Sequence, residues 1–354
     1  MKNTRRGARA GFTLTELLVV IAIIAMLAGL ITVAAVQALD TAKQVAVKSE
    51  LDQLDMAMKS FKDKYGDYPP CDLSFYTNGN PGNNPALIAF IMRAFPRYNP
   101  GTFSNTPASS YARLQQDFAT LGVYSGAGTS NTKAYPDRAL VFWLSGFSAD
   151  PTSPFTGAGA RTPFFQFDQT RLINMTTAGG AVAQGQPAST APATGNMWIP
   201  YIGQVAYVPK YGNGAPFAYI DNGHYGQLPG TAGSSFSYIA SNVYTTGSAS
   251  ATISTFNMNN TTGTSIGVLT PYVQDLQSIG TYSSSNVTAY QFCNPTTFQI
   301  IAASQDGEFG TPIGVAGFAH GRLYPSGSGY SADGSETDNV ANFCDKARLG
   351  DAIP

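Results

Sequence analysis

A single carboxylate stands at the start of a long uncharged stretch near the amino terminus. Glu16 is followed by twenty residues, 17–36, none of which carries a charged side chain. A carboxylate beside an apolar segment of this length is costly to desolvate unless a cation neutralises it, and such residues usually carry a function. The sequence therefore predicts that Glu16 makes a specific ionic contact.

A second group of carboxylates lies near the carboxyl terminus. Asp333, Glu336 and Asp338 occur within six residues, among hydroxyl side chains and a glycine. Ca²⁺ prefers several oxygen ligands on a flexible loop, so this composition suits a calcium site. The spacing differs from the EF-hand pattern, and Asp-Gly-Ser sequences also form solvated turns. Both interpretations stay open, calcium ligands or a solvated turn.

The chain contains three cysteines, Cys71, Cys293 and Cys344. In an oxidising compartment two of them could form a disulfide, with Cys293 and Cys344 the favoured pair, but three pairings are possible and the sequence does not choose. No Cys-x-x-Cys pair occurs, and His224 and His320 are the only histidines. A structural zinc site is therefore not expected.

Residues 263–267, Gly-Thr-Ser-Ile-Gly, match the nucleophile elbow of some hydrolases. That motif requires a strand before the serine and a helix after it, which together expose the hydroxyl group. Neither element is apparent, and the match lies in a segment rich in Ser, Thr and Gly, where chance matches arise. We expect no enzymatic activity from this motif.

The uncharged segment after Glu16 has the length of a membrane span. About twenty helical residues cover roughly 30 Å, the hydrocarbon thickness of a bilayer. Four basic residues and no acidic one precede Glu16: Lys2, Arg5, Arg6 and Arg9. Because basic flanks stay on the cytoplasmic side, we expect the rest of the chain to be exported. A cleaved secretory signal ending at residues 36–38 is the alternative.

An apolar stripe continues beyond this segment at helical spacing. Its members are separated alternately by four and three residues: Val47, Leu51, Leu54, Met58, Phe61 and Tyr65. This spacing predicts an amphipathic helix whose apolar face packs on the following domain. A continuous helix from about Thr13 to Lys64 would be roughly 75 Å long. Gly66 and the pair Pro69-Pro70 supply the signals that end it.

After the helix, the composition changes to Gly, Ser, Thr, Asn, Pro and aromatic residues. Short runs typical of strands occur at 139–147, 205–208, 217–220 and 298–302, and short helices are predicted at 85–95 and 111–121. A domain of this length can bury a core. We expect an α+β fold, in which the long helix packs on an antiparallel-sheet head with long loops.

Residues 226–289 are dominated by Ser, Thr, Gly, Asn and Tyr and are predicted to form an insertion within the head. No lysine or arginine occurs between Lys210 and Arg322. Because nucleic acids are gripped through their phosphates by clustered cations, this span has no suitable charge. No nucleic-acid partner is expected.

The residues Gly11-Phe12-Thr13-Leu14-Thr15-Glu16, with the apolar run after them, resemble the class III prepilin signal of type IV pilins and type II secretion pseudopilins. The resemblance implies that prepilin peptidase cleaves between Gly11 and Phe12 and methylates the new amino group of Phe12. It implies a leader at 1–11, a helix at 12–65 and a head at 66–354. Glu16 would then pair with the Phe12 amine of an adjacent subunit, although pairing within one subunit is also possible.

Two further segments carry a resemblance. Residues 56–70 are similar to the end of the helix in the major pseudopilins, which favours that branch over adhesive pilins. Residues 298–310 and 338–343 resemble the closing strand and loop of large prepilin-type proteins. In the major pseudopilins that loop binds calcium, but here Phe343 stands where tryptophan is usual and the loop length differs.

These features favour a structural subunit of a type IV pilus or type II secretion pseudopilus. We expect it to cross the bacterial inner membrane once, with its amino terminus in the cytoplasm and its head in the periplasm. The expected partners are prepilin peptidase and other pilin or pseudopilin subunits. No cofactor is required, and calcium is the one candidate. The alternative is an exported, membrane-anchored binding module that recognises a surface polymer such as a glycan.

Overall fold

The computed structural model describes residues 13–73, 76–77, 80–81, 84–102, 111–123, 136–174, 202–228, 237–238, 252–253, 256–259, 265–274, 292–311 and 322–354. Gly11 and Phe12 lie outside these ranges, as does most of the predicted insertion. The predicted leader, insertion and head boundaries therefore stay predictions.

The first element is one uninterrupted helix. Helix α1 extends over Leu14–Tyr65, 52 residues, which corresponds to roughly 78 Å. It ends at Gly66, whose φ of 86° lies in the left-handed region and whose N–H donates to the carbonyl of Lys62. Glycine adopts this conformation without a steric cost, so it is the common residue after a helix. The prediction of a long amino-terminal helix is confirmed.

The two halves of α1 have different surroundings. Every large apolar side chain in residues 17–36 is exposed. In the second half, the stripe of Val47, Leu51, Leu54, Met58 and Phe61 is buried against the head. Within the described part of the chain, α1 is the one helix that is long and apolar enough to cross a membrane.

Three short helices pack in the head: α2 (Pro85–Ala94), α3 (Ala112–Thr120) and α4 (Pro136–Leu144). The first two agree with the predicted positions. Residues 139–147 were expected to form a strand, and this expectation is wrong because α4 occupies most of them. All nine residues of α4 are buried, so its sequence shows an unbroken apolar run, which does not distinguish a strand from a buried helix. Pro136, the first residue of α4, is a signal for the start of a helix. The apolar residues after it nevertheless resemble a strand.

The strands are short and form several small sheets. The first five are β1 (Tyr76–Thr77), β2 (Asn80–Pro81), β3 (Leu172–Asn174), β4 (Val205–Tyr207) and β5 (Ala218–Asp221). The next five are β6 (Gly226–Leu228), β7 (Ser237–Tyr238), β8 (Thr252–Ile253), β9 (Phe256–Asn259) and β10 (Ser265–Leu269). The last four are β11 (Tyr272–Gln274), β12 (Phe298–Ala302), β13 (Arg322–Tyr324) and β14 (Val340–Ala341).

The pairing of these strands is mainly antiparallel. Strands β1 and β2 pair with each other, as do β3 and β4, and β9 and β10. Strand β6 lies between β7 and β8, whereas β11 and β13 pair in parallel. The fold is therefore α+β and pilin-like, a long helix followed by small, mainly antiparallel sheets, as predicted.

A three-stranded antiparallel sheet in the order β14-β12-β5 lies against α1. All five residues of β12 are buried, and their positions agree with the predicted strand. The Nζ of Lys48 on α1 donates to the carbonyl of Ala341 at 3.0 Å, and Asn342 donates to Asp55 on α1 at 3.0 Å. Polar contacts thus reinforce the apolar contact between sheet and helix.

The segment after α1 is fixed to the same sheet. The hydroxyl of Tyr219 donates to the carbonyl of Pro69 at 2.6 Å, and the indole N–H of Trp143 donates to that of Pro70 at 2.9 Å. The backbone N–H of Cys71 donates to Oδ1 of Asp221 at 2.7 Å. These bonds fix the path of the chain as it leaves the helix.

Phe61 provides a test of the contact between helix and head. Its side chain is fully buried, and its ring lies 6.0 Å from that of Trp143 and 5.1 Å from that of Phe164. We expect Phe61→Ala to lower the free energy of unfolding by about 3–5 kcal/mol, because it removes apolar contacts and leaves a cavity. Denaturant unfolding of the full chain in detergent, followed by tryptophan fluorescence, measures this loss.

Met56→Ala is the matched control, because Met56 lies on the exposed side of the same helix. We expect it to change the free energy of unfolding by no more than about 0.5 kcal/mol. Equal effects of the two substitutions would contradict the packing described here.

Candidate functional site

The amino-terminal end of α1 is built around Thr13 and Glu16. Thr13 has an extended backbone and is the N-cap residue. Its hydroxyl oxygen accepts a hydrogen bond from the N–H of Glu16 at 3.3 Å, and its own N–H donates to Oε2 of Glu16 at 2.9 Å. This reciprocal arrangement is a capping box, which satisfies backbone N–H groups that a helix leaves unpaired at its start.

The capping box fixes the position of the Glu16 carboxylate. The hydroxyl of Thr13 also donates to Oε2, at 2.8 Å. Both hydrogen bonds that the carboxylate accepts from Thr13 therefore use this one oxygen. Among the described residues, no hydrogen bond reaches Oε1 and no cation pairs with Glu16. The predicted partner, the amine of Phe12, belongs to a residue outside the described part of the chain. The ionic contact of Glu16 therefore stays a prediction.

The sequence predicts an ionic contact for Glu16, and the structure adds its capping role. The Thr-x-x-Glu spacing of residues 13–16 is a known helix-start signature and could have revealed it. The two roles are compatible. A carboxylate in the first turn of a helix also interacts favourably with the positive end of the helix dipole.

The carboxylates near the carboxyl terminus do not all lie together. Glu336 is fully buried: its Oε1 accepts hydrogen bonds from Nη2 and Nε of Arg322 at 2.9 and 3.1 Å, and its Oε2 accepts one from the N–H of Ser331. Both oxygens are therefore engaged inside the head. The structure thus separates Glu336 from Asp333 and Asp338, with which it was grouped as a calcium ligand.

Asp333 and Asp338 instead line an open cavity of about 490 Å³, together with Asp306 and Glu308. Oδ2 of Asp338 accepts hydrogen bonds from the N–H groups of Gln305 and Asp306, whereas its Oδ1 is buried and has no hydrogen-bond partner among the described residues. We call this the acidic cavity. Asp306 and Glu308 were not predicted as ligands, because some 25 residues of sequence separate them from Asp333.

The electrostatics of the acidic cavity differ from one carboxylate to the next. Burial, with the charges of Asp338 and Glu308, raises the pKa of Asp306 to about 7. Asp333 is exposed, and hydrogen bonds from the Ser331 hydroxyl and from Ser335 lower its pKa to about 2. Carboxylates that repel one another in a partly buried cavity provide the oxygen ligands that Ca²⁺ prefers. The residues present therefore fit calcium, with Asp306 and Glu308 in place of Glu336.

The three cysteines are all buried, and none forms a disulfide. Cys344 lies near Cys293, whose pKa is raised mainly by burial. Cys71 lies elsewhere, beside Asp221. The pairing of Cys293 with Cys344 therefore stays a prediction.

The structure gives no support to the nucleophile elbow. Ser265 begins strand β10, which continues to Leu269 and is followed directly by strand β11. A serine nucleophile requires a sharp turn from a strand into a helix, and within residues 265–274 a strand follows instead.

One cavity bears on the binding-module alternative. It measures about 380 Å³ and lies where α1 ends; Tyr65, Phe95 and Phe147 contribute aromatic side chains, and Lys64 and Arg97 contribute charge. Such a mixture occurs in many small-molecule sites. Its lining does not distinguish one class of ligand from another.

The family model for the prokaryotic N-terminal methylation motif matches residues 6–32 of the chain. This match includes Gly11, Phe12 and Glu16, and it ends inside the exposed apolar half of α1. No curated protein and no solved structure matches the chain. The major-pseudopilin branch therefore stays a prediction. The sequence match and the capped, exposed apolar helix agree, and the amino-terminal segment of this chain is of the prepilin type found in pilins and pseudopilins.

Proposed function

We propose that the chain is a structural subunit that prepilin peptidase processes after Gly11 and that assembles through α1 into a type IV pilus or a type II secretion pseudopilus. The observation that carries this proposal is the match of residues 6–32 to the methylation motif, on a helix that continues without a break into the head. Members of the family that carries this motif are structural subunits, and we propose the same role for this chain.

The physical state of α1 supports assembly. Residues 17–36 expose apolar side chains on all sides, so this half requires lipid or other helices around it. Once it is surrounded by either, a lone carboxylate at its start must be neutralised or paired. Processing after Gly11 would create a positive amine at Phe12, one residue before the N-cap Thr13. The open Oε1 of Glu16 faces no competing cation among the described residues.

The proposed location follows from the charge distribution. Before assembly the subunit is held in the bacterial inner membrane by one span, with its basic leader in the cytoplasm and its head in the periplasm. The other subunits of the filament and prepilin peptidase are its partners. In the filament the Phe12 amine of one subunit neutralises Glu16 of the next.

Substitutions at Glu16 and Thr13 distinguish an assembly contact from a helix cap. Glutamine also serves at the third position of a capping box, so Glu16→Gln keeps the cap and removes the charge. We expect Glu16→Gln and Glu16→Ala to abolish assembly, measured as loss of the protein from sheared surface fractions. Cleavage after Gly11, measured by gel mobility with prepilin peptidase present, should be unchanged.

Thr13→Ala is the matched control, because it removes the side-chain cap and keeps the carboxylate. The loss of such a cap costs about 1 kcal/mol of helix stability, so we expect filaments to persist at reduced yield. Normal assembly of Glu16→Gln would show that capping alone is needed. A wild-type protein that remains with the membrane and never enters the sheared fraction would favour the anchored binding module.

We also propose that the acidic cavity binds calcium and that this stabilises the head. The proposal is supported by the four carboxylates that line the cavity and by the buried Oδ1 of Asp338, which has no hydrogen-bond partner in the described part of the chain. Calcium would neutralise the mutual repulsion of Asp306, Glu308 and Asp338. Asp306 and Glu308 follow β12, and Asp338 precedes β14. A bound calcium ion would therefore link these two parts of the head.

A thermal melt tests this second proposal. A ligand at about one hundred times its dissociation constant stabilises a folded protein by roughly 2.7 kcal/mol. We therefore expect excess Ca²⁺ to raise the Tm of the wild-type chain by several degrees, and EDTA to reverse the change. Asp338→Asn should abolish the shift, whereas Asp52→Asn, at an exposed position on α1, should keep it. A Tm unmoved by Ca²⁺ and by EDTA would exclude the proposal.

A further inference from the structure

Three metal-ligating side chains meet inside the head, outside both sites described above. Cys71, Asp221 and His224 each offer one ligand atom, and these atoms all lie within 4.8 Å of one another. All three residues are buried. Cys71 and Asp221 are 150 residues apart in the sequence, so their meeting depends on the tertiary fold.

The fold holds each of the three residues in place. Cys71 belongs to the segment after α1, which Tyr219 and Trp143 fix to the head. Asp221 is the last residue of β5 and caps the short 3₁₀ turn Asn222–His224, where its Oδ2 accepts a hydrogen bond from the N–H of Gly223 at 3.1 Å. A Cβ atom at Gly223 would lie 2.9 Å from that oxygen, so glycine permits the tight turn that returns His224 to Asp221.

The three groups already interact directly. Oδ1 of Asp221 accepts a hydrogen bond from the N–H of Cys71 at 2.7 Å and lies 2.5 Å from Nδ1 of His224. Although burial alone would raise the pKa of Asp221, the charge and hydrogen bond of His224 lower it. Burial raises the pKa of the Cys71 thiol well above its usual value. The thiol, the carboxylate and the imidazole thus already form one buried polar cluster.

We propose that Cys71, Asp221 and His224 form a buried binding site for a zinc-type divalent transition metal. A thiolate, an imidazole and a carboxylate are the side chains that Zn²⁺ binds in proteins. A bound ion would meet a thiolate, a carboxylate and a neutral imidazole. The thiolate and the carboxylate would balance the two positive charges of the ion, so the occupied site would carry no net charge.

The distances allow such a site after a small rearrangement. With metal–nitrogen and metal–oxygen bonds of about 2.0 Å and a metal–sulfur bond of about 2.3 Å, ligand atoms around a tetrahedral ion lie roughly 3.3–3.6 Å apart. The ligand atoms lie within 4.8 Å of one another, and small side-chain rotations that also separate Nδ1 of His224 from Oδ1 of Asp221, now 2.5 Å apart, would give this spacing. Asp72 adjoins Cys71, and its negative charge acts on both Cys71 and His224. The negative charge of Asp72 further favours a cation between Cys71, Asp221 and His224.

This site differs chemically from the acidic cavity. Ca²⁺ prefers oxygen ligands, whereas a thiolate and an imidazole select transition metals. A bound ion would connect the segment after α1 to the end of β5. It would thereby join the long helix to the three-stranded sheet β14-β12-β5. The consequence is a metal-dependent attachment of helix to head.

Cobalt titration of the full chain in detergent tests the proposal. After treatment with a chelator, the wild-type protein is titrated with Co²⁺, and the absorption from thiolate-to-cobalt charge transfer is recorded. We expect this band to saturate at one Co²⁺ per chain, to disappear when Zn²⁺ is added and to persist in excess Ca²⁺. Zn²⁺ should also raise the Tm of the wild-type chain.

Two cysteine variants locate the site. Cys71→Ser should lose the band, whereas Cys344→Ser, which removes another buried cysteine, should keep it. X-ray absorption of the zinc-loaded wild-type chain is independent of whether the variants fold, and it should show one sulfur at about 2.3 Å with nitrogen or oxygen ligands at about 2.0 Å. The absence of the band from the folded wild-type chain, its persistence in Cys71→Ser or a zinc spectrum without sulfur would overturn the proposal.

Discussion

The second half of helix α1 packs its apolar face against the head, and the positions of the other features depend on this contact. Leu51, Leu54 and Phe61 are fully buried there. Polar contacts of Lys48 and Asp55 attach the same helix to the three-stranded sheet β14-β12-β5. Because α1 has no break, the head is rigidly connected to the exposed apolar half. A helix of this kind both anchors the chain and sets the distance between Glu16 and the head.

Two ion pairs, one half-buried and one fully buried, lie within the head and at its contact with α1. Arg171 forms a two-point ion pair with Glu50 on α1, and its guanidinium lies 4.5 Å from the centre of the Tyr207 ring. Deeper in the head, Arg322 pairs with Glu336 where neither side chain is exposed. Such a pair contributes little net stability because both charges are desolvated, but the loss of one partner is costly. The pair accounts for the absence of Glu336 from the acidic cavity.

The sequence predicted those parts of the molecule that depend on local pattern. The alternation of apolar residues from Val47 to Tyr65 and the glycine at 66 were enough to place α1, and the run at 298–302 was enough to place β12. Helix α4 was missed because it is buried on every side, so no periodicity marks it. The prepilin-type segment was recognised because residues 11–16 directly precede a long uncharged run.

Contacts between distant residues could not be predicted in the same way. Nothing in the sequence brings Asp306 to Asp338, or Cys71 to Asp221 and His224, because those meetings depend on how β5, β12 and the segment after α1 pack together. The proposed processing after Gly11 can be tested directly at the amino terminus. Mass spectrometry of the protein purified from cells that contain prepilin peptidase identifies its first residue. We expect an amino-terminal N-methylated Phe12, whereas a first residue at Leu39 or at Met1 would contradict the proposed processing after Gly11.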